Sequence, residues 1–265
     1  MAFDINNFVI DRVIRGIMTS TNDGTVMWSI NQITDPSLSV TMETSESVDA
    51  IGSRIASFNR GKSAEFSAQN SLFDLGLWAA QNGVEKQVAD ANNKIVSPIF
   101  ETITVPSPNT TPVVLKHEPT ETPKEIYQLK GDGTLGEKLV YGATAASGKF
   151  TYDSSTHAIT FPTAATAGAQ YFIQYEYEAE NAVAVTGDAI NFPKAGKFIM
   201  ELLGTDVCNT TLLIHAYLIF PNAKLDGNVD ITFATDGNHP FTIQANQSYC
   251  DNQKVLFQLV IPEEE

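Results

Sequence analysis

The stretches Ser37-Leu38-Ser39-Val40-Thr41-Met42-Glu43 and Ser63-Ala64-Glu65-Phe66-Ser67-Ala68 decide how this chain folds. In each, apolar and polar residues alternate with a period of two. That places Leu38, Val40, Met42, Ala64, Phe66 and Ala68 on one face, and Ser39, Thr41, Glu43, Ser63, Glu65 and Ser67 on the other. Two such strands make a hairpin with one dry and one wet face. The segment between them, residues 44–52, is polar, contains Glu46, Asp49 and Gly52, and reads as a long loop.

Upstream, residues 11–19 (DRVIRGIMT) and 25–33 (TVMWSINQI) flank Asn22-Asp23-Gly24, a strong hairpin signal. Val9, Val13 and Ile17 also fit a helical spacing, but the β-branched content and the turn favour a strand. Asp35-Pro36 then punctuates the chain. Downstream comes the one convincing helix: Asn70 or Ser71 caps it, Asp74 suits its first turn and Gly83 stops it. Leu72, Phe73, Leu75, Leu77, Ala79 and Ala80 cover more than one of its sides, so sheets or a neighbouring subunit must bury it.

The composition shifts at residues 105–179. Prolines at 106, 108, 112, 119 and 123 precede short strands at 124–129, 137–141, 148–152, 158–161 and 169–178. Gly131-Asp132-Gly133 and Asp153-Ser154-Ser155 form turns, and Tyr171, Ile173, Tyr175 and Tyr177 alternate with Phe172, Gln174, Glu176 and Glu178. Such spacing predicts a small β-sandwich, inserted into a discontinuous first domain made of 1–104 and 180–265. Strands follow at 197–203, 212–220, 229–234, 241–247 and 255–261; the run LLIHAYLIF at 212–220 reads as buried on both faces. The fold class is therefore mainly β, with one flanking helix and one inserted domain.

The 265 residues carry 31 acids against 16 Lys and Arg, a net charge of −15. That excess argues against a surface built to neutralise phosphates. With 43% hydrophobic residues a packed core is expected, and no apolar run approaches the roughly 20 residues of a membrane span. The start, MAFDINNFVIDR, has acids where a signal peptide carries basic residues, so synthesis and assembly in a cytoplasm are expected. Cys208 and Cys250 read as two buried thiols.

A search for chemistry finds little. No G-x-S-x-G elbow occurs, and His215 alternates within a strand of Leu, Ile and Tyr, as a core or interface histidine would. His117, His157, His215 and His239 are scattered without metal-ligand spacing. Gly131-Asp132-Gly133-Thr134 lacks the acids of a calcium loop. Gly61-Lys62-Ser63 lacks the first glycine of a phosphate-binding loop, since Ala56 stands there. No enzyme activity and no cofactor are expected.

The order hairpin, alternating strand, acidic loop, alternating strand, buried helix resembles the tail tube proteins of long-tailed bacteriophages. The residues that carry it are DRVIRGIMTSTNDGTVMWSINQITDPSLSVTMETSES (11–47) and RIASFNRGKSAEFSAQNSLFDLGLWAAQNG (54–83). The resemblance implies a virion protein whose β-sandwich forms hexameric rings that stack around a channel for DNA. It implies partners in the tape measure, sheath or baseplate and terminator proteins, and places the loop with Glu46, Asp49, Gly52 and Arg54 against a neighbouring subunit or ring. Ser39, Thr41, Glu43, Ser63, Glu65 and Ser67 would then line the lumen, where acids let DNA pass without specific binding. The segment 105–179 resembles the immunoglobulin-like insertions of phage virion proteins. Two other readings share this composition: a capsid decoration or head-fibre protein, and a carbohydrate-binding or hydrolytic β-protein resting on exposed aromatics around Tyr171 and Tyr177.

Overall fold

The computed structural model describes residues 5, 7–235, 237–247 and 254–263. In chain order the elements begin with β1 (Phe8–Thr19), β2 (Val26–Ile30), β3 (Ile33–Val48), β4 (Arg54–Asn70) and α1 (Leu75–Gln81). Next come β5 (Gln87–Val88), β6 (Ile95–Thr104), β7 (Val113–Val114), β8 (Glu125–Leu129), β9 (Leu135–Tyr141), β10 (Lys149–Asp153), β11 (Ala158–Thr160), β12 (Gln170–Ala179) and β13 (Val183–Ala184). The series ends with β14 (Ala195–Asp206), β15 (Asn209–Leu225), β16 (His239–Ala245) and β17 (Gln258–Val260). The chain divides into one unit of residues 1–86 with 185–265 and another of residues 87–184.

In the first unit the strands run β2-β1-β14-β15-β16-β4-β3, with β17 added to β15, as a nearly closed barrel. The barrel wraps a core in which the Phe198 ring meets Trp28, Phe66 and Phe220 at centroid distances of 5.6, 5.8 and 6.0 Å. Closure depends on Gly16 of β1: a Cβ there would lie 3.0 Å from Ile33 Cδ1 and 3.1 Å from the Phe198 ring. Gly24 takes a positive φ in the β1–β2 turn, as Asp-Gly turns require. Pro36 does not end a strand. It lies inside β3, where Asp35 adopts φ 50° and the register with β4 slips. A proline is tolerated there because β3 is the outermost strand of the order.

Three expectations for this unit need correction. The helix is capped by Asp74, whose Oδ1 accepts from Leu77 N at 2.7 Å, and not by Asn70 or Ser71. Asn70 ends β4, while Ser71 N donates to Gln32 O. Gly83 does terminate the helix: with φ 70° it lets Gly83 N and Val84 N reach Ala80 O and Ala79 O. Residues 229–234 form no strand, and Phe233 there is 81% exposed. The run 212–220 is fully buried on one face only: Ile214, Ala216, Leu218 and Phe220 enter the core, His215, Tyr217 and Ile219 on the other face are half-buried, and Leu212 and Leu213 at its start are exposed.

In the second unit seven strands follow one hydrogen-bonded order, β6-β12-β8-β9-β10-β11-β7, in which only β9 and β10 pair in parallel. The order rolls up, since Phe161, just past β11, packs on Tyr171 of β12 at 5.2 Å. Ile126, Phe150, Ile159, Phe161 and Ile173 fill its core. Pairing of β6 with β12 along Ile95–Ala179 to Thr104–Gln170 brings residues before 105 into this unit. Tyr171 and Tyr175 are buried and Tyr177 is half-buried against His117, so the exposed aromatic surface lies elsewhere, where the exposed Phe100 stacks on the half-buried Phe172 of the opposite face at 5.8 Å.

Candidate functional site

The distinguishing surface of the first unit is the hairpin β3–β4. Its outer half is strand where a loop was expected: pairing continues through Thr44–Asn59, Ser45–Phe58, Glu46–Ser57 and Ser47–Ala56 to Val48–Arg54. Serine and threonine read as loop formers because their side chains compete for backbone bonds. Here a paired strand engages that backbone, and Thr adds a β-branched side chain that suits it. The turn proper is only the tip. Asp49 Oδ1 accepts from Ile51 N at 3.0 Å and Ser53 N at 2.8 Å, and Gly52 adopts φ 88°. Glu46 and Arg54, diagonal neighbours across the two strands behind the tip, form an ion pair.

The register brings the wet-face residues together. Ser39 stands opposite Glu65 and Thr41 opposite Ser63, whose hydroxyls hydrogen-bond at 2.6 Å. Glu43 stands opposite Gly61, and Ser67 opposite Ser37. All are exposed except the half-buried Ser67. The charge of the hairpin is mixed, with Asp35, Glu43, Glu46, Asp49 and Glu65 against Arg54, Arg60 and Lys62.

The other face departs from expectation. Ala64, Phe66 and Ala68 enter the barrel core, Phe66 being 1% exposed. Leu38, Val40 and Met42 pair beside Phe66, Ala64 and Lys62, yet remain 37, 41 and 61% exposed. The reason is topological: β4 lies between β16 and β3, whereas β3 is the edge strand and has no neighbour beyond it among the described residues. Val48, Ile51, Ile55 and Phe58 are exposed as well, with Ile51 at the tip 88% exposed. Val48 and Ile51 fall in the segment 44–52 read as loop, which carries no facing, and Ile55 and Phe58 lie before the alternation at 63–68; their apolar recurrence through polar residues 48–58 was the available signal. Arg60 is the extra residue of a bulge, since Glu43–Gly61 is followed by Thr44–Asn59. Its guanidinium lies 5.8 Å from the Phe58 ring centroid.

Elsewhere the polar groups are committed to structure. Glu201, on β14, accepts from Arg15 Nε at 2.6 Å and lies 2.9 Å from His215 Nδ1, so the half-buried His215 is committed to a polar trio on the barrel's outer face. Asp132 accepts from Thr134 N and Oγ1 in a tight turn, and those bonds hold its carboxyl below its usual range. Gly61-Lys62-Ser63 lies within β4. Cys208 is exposed in the β14–β15 turn, contrary to the buried thiol expected; Cys250 lies outside the described residues. Among the described residues no group of three or more His, Cys, Asp or Glu could hold a metal ion, and no helix is long and apolar enough to cross a membrane.

Fold and surface thus define a β-barrel protein whose distinguishing feature is a long, partly apolar strand edge and not a cleft of reactive groups. The chain belongs to the YomU/Tube protein family, which it matches over residues 8–254. The family points to a structural protein of the phage tail-tube kind and away from an enzyme, and it points to the virion tail as the place of action. No curated protein matches the chain.

Proposed function

We propose that the protein is the tube subunit of a long-tailed phage, with copies closing into hexameric rings through the β3–β4 hairpin and rings stacking around a channel for DNA. The observation that carries this reading is the exposed edge and apolar row of that hairpin. A 16-residue strand with an open edge is an aggregation hazard unless another chain pairs with it, and ring closure removes the edge. Leu38, Val40, Met42 and Val48 share one face of β3 and stay exposed along its open edge, as a face covered by a second chain would. The chain exposes 16796 Å² in all, about a quarter more than the roughly 13,600 Å² expected even of two separate compact bodies of these sizes.

On this reading Ser39, Thr41, Glu43, Ser63, Glu65 and Ser67 face the lumen, and hydroxyls with two carboxylates offer DNA phosphates no cationic hold. The tip with Glu46, Asp49, Gly52 and Arg54 touches the adjacent subunit or ring, and residues 87–184 are an immunoglobulin-like decoration. The end partners are other tail proteins. The test is electron microscopy of concentrated protein and immunogold labelling of virions. Rings or tubes that vanish in Val40→Glu/Met42→Glu, with label along the tail shaft, are expected. Label on the capsid shell overturns the assignment.

A further inference from the structure

We propose that His239 is an acid-sensitive latch that holds helix α1, and the apolar patch at its entry, onto the barrel. The ring is 0% exposed, and both of its nitrogens are engaged by the helix segment. Asp74 N donates to Nδ1 at 3.3 Å, and a backbone N–H can only donate, so Nδ1 carries no proton. Nε2 therefore carries the proton and donates to Gln81 Oε1 at 2.7 Å. Gln81 Nε2 in turn donates to Pro240 O at 3.0 Å, which fixes the amide orientation. One neutral imidazole thus ties both ends of α1 to the first turn of β16. The rings stack outward from it: Phe73 lies on His239 at 5.1 Å, and the exposed Phe233 on Phe73 at 5.7 Å. Leu72, Phe73, Leu75 and Phe233 form the patch that this stack positions.

A second proton has no place in this arrangement. It would set Nδ1–H against Asp74 N–H and bury a cation. Among the described residues the charged group facing the ring is the Asp74 carboxylate, which favours the cation but is already taken by Leu77 N. The paired residue on β4 is the uncharged Asn70, and residues 239–245 of β16 carry no other ionisable side chain. Burial outweighs Asp74 and lowers the ring's pKa below its ordinary 6.5. A folded-state value below the unfolded one means the latch is intact above pH 6.5 and weakens as pH falls from there through the folded-state pKa. Between those two values, opening of the α1 segment grows by up to about tenfold per pH unit.

Hydrogen exchange of the full chain between pH 7.5 and 4.5, corrected for intrinsic rates, reads this at residues 70–83. Wild type should lose protection there as pH falls, and His239→Gln, which cannot gain the charge, should not. The same pH response in both proteins overturns the latch. Should the variant fail to fold, NMR titration of the His239 ring in wild type decides: protonation at or above pH 6.5 overturns the proposal, and protonation below it with simultaneous shifts in α1 supports it. Neither readout depends on ring assembly.

Discussion

Strands β12 and β3 carry the same message in sequence and meet opposite fates. In β12, Tyr171, Ile173 and Tyr175 alternate with Phe172, Gln174 and Glu176, and the first set is buried by a sheet that rolls back on itself. In β3, Leu38, Val40 and Met42 alternate just as regularly with Ser39, Thr41 and Glu43, and every one is exposed. Alternation shows which residues share a face. Whether that face is covered depends on the strand's place in the sheet, and β3 lies at its edge.

The sharpest way to break this comparison is truncation on each side of it. Ile173→Ala should cost about 2–5 kcal/mol, since it leaves a cavity in a closed core, whereas Val40→Ala should change monomer stability by no more than about 0.5 kcal/mol. Urea denaturation measures both; a large loss from Val40→Ala would mean that β3 is covered within the chain.

Hydroxyl removal comes next. Tyr175 OH donates to Glu101 Oε2 at 2.8 Å and accepts from His117 N at 3.1 Å, so Tyr175→Phe leaves His117 N without its acceptor and Glu101 with Lys116 N alone, for about 1–3 kcal/mol. Burial also holds that phenol above its usual value near 10. The stability it contributes is whole below pH 10 and fades as pH rises beyond it, so wild type should show a larger alkaline loss than Tyr175→Phe, which keeps the raised phenols of Tyr127, Tyr152 and Tyr171. Thr41→Val, which removes the exposed partner of Ser63, should show neither effect. The smallest change is expected at the hairpin tip, where Glu46→Gln breaks an exposed ion pair and alters thermal stability by at most about 0.5 kcal/mol.

Much of the fold was legible. The Asp-Gly turn, strands β8 to β12 of the second unit and the alternation of β3 and β4 all follow from local pattern, because each is a contest settled within a few residues, whereas β6 went unread. The apolar run 212–220 misled because, among the described residues, Leu212 and Leu213 lie where β15 has β14 beside it and no second strand, a fact of topology that hydropathy does not carry. The helix cap misled because Asn70 and Ser71, good caps in isolation, were already engaged by the sheet. Of the candidate site, the wet face was legible through its period, and the exposed apolar residues beyond Glu43 were not.

Arg60 explains part of that gap and gives the hairpin an added property. Counting by twos from Phe66 and Ala64 would send Phe58 to the core side. The extra residue resets the count, so Phe58 stands opposite Ser45, on the side of Thr41 and Glu43. A single inserted residue thus acts as a reading-frame shift within a strand. It lets one continuous ribbon carry Leu38, Val40 and Met42 on one side and Phe58 on the other, so that neither of its faces is wholly polar.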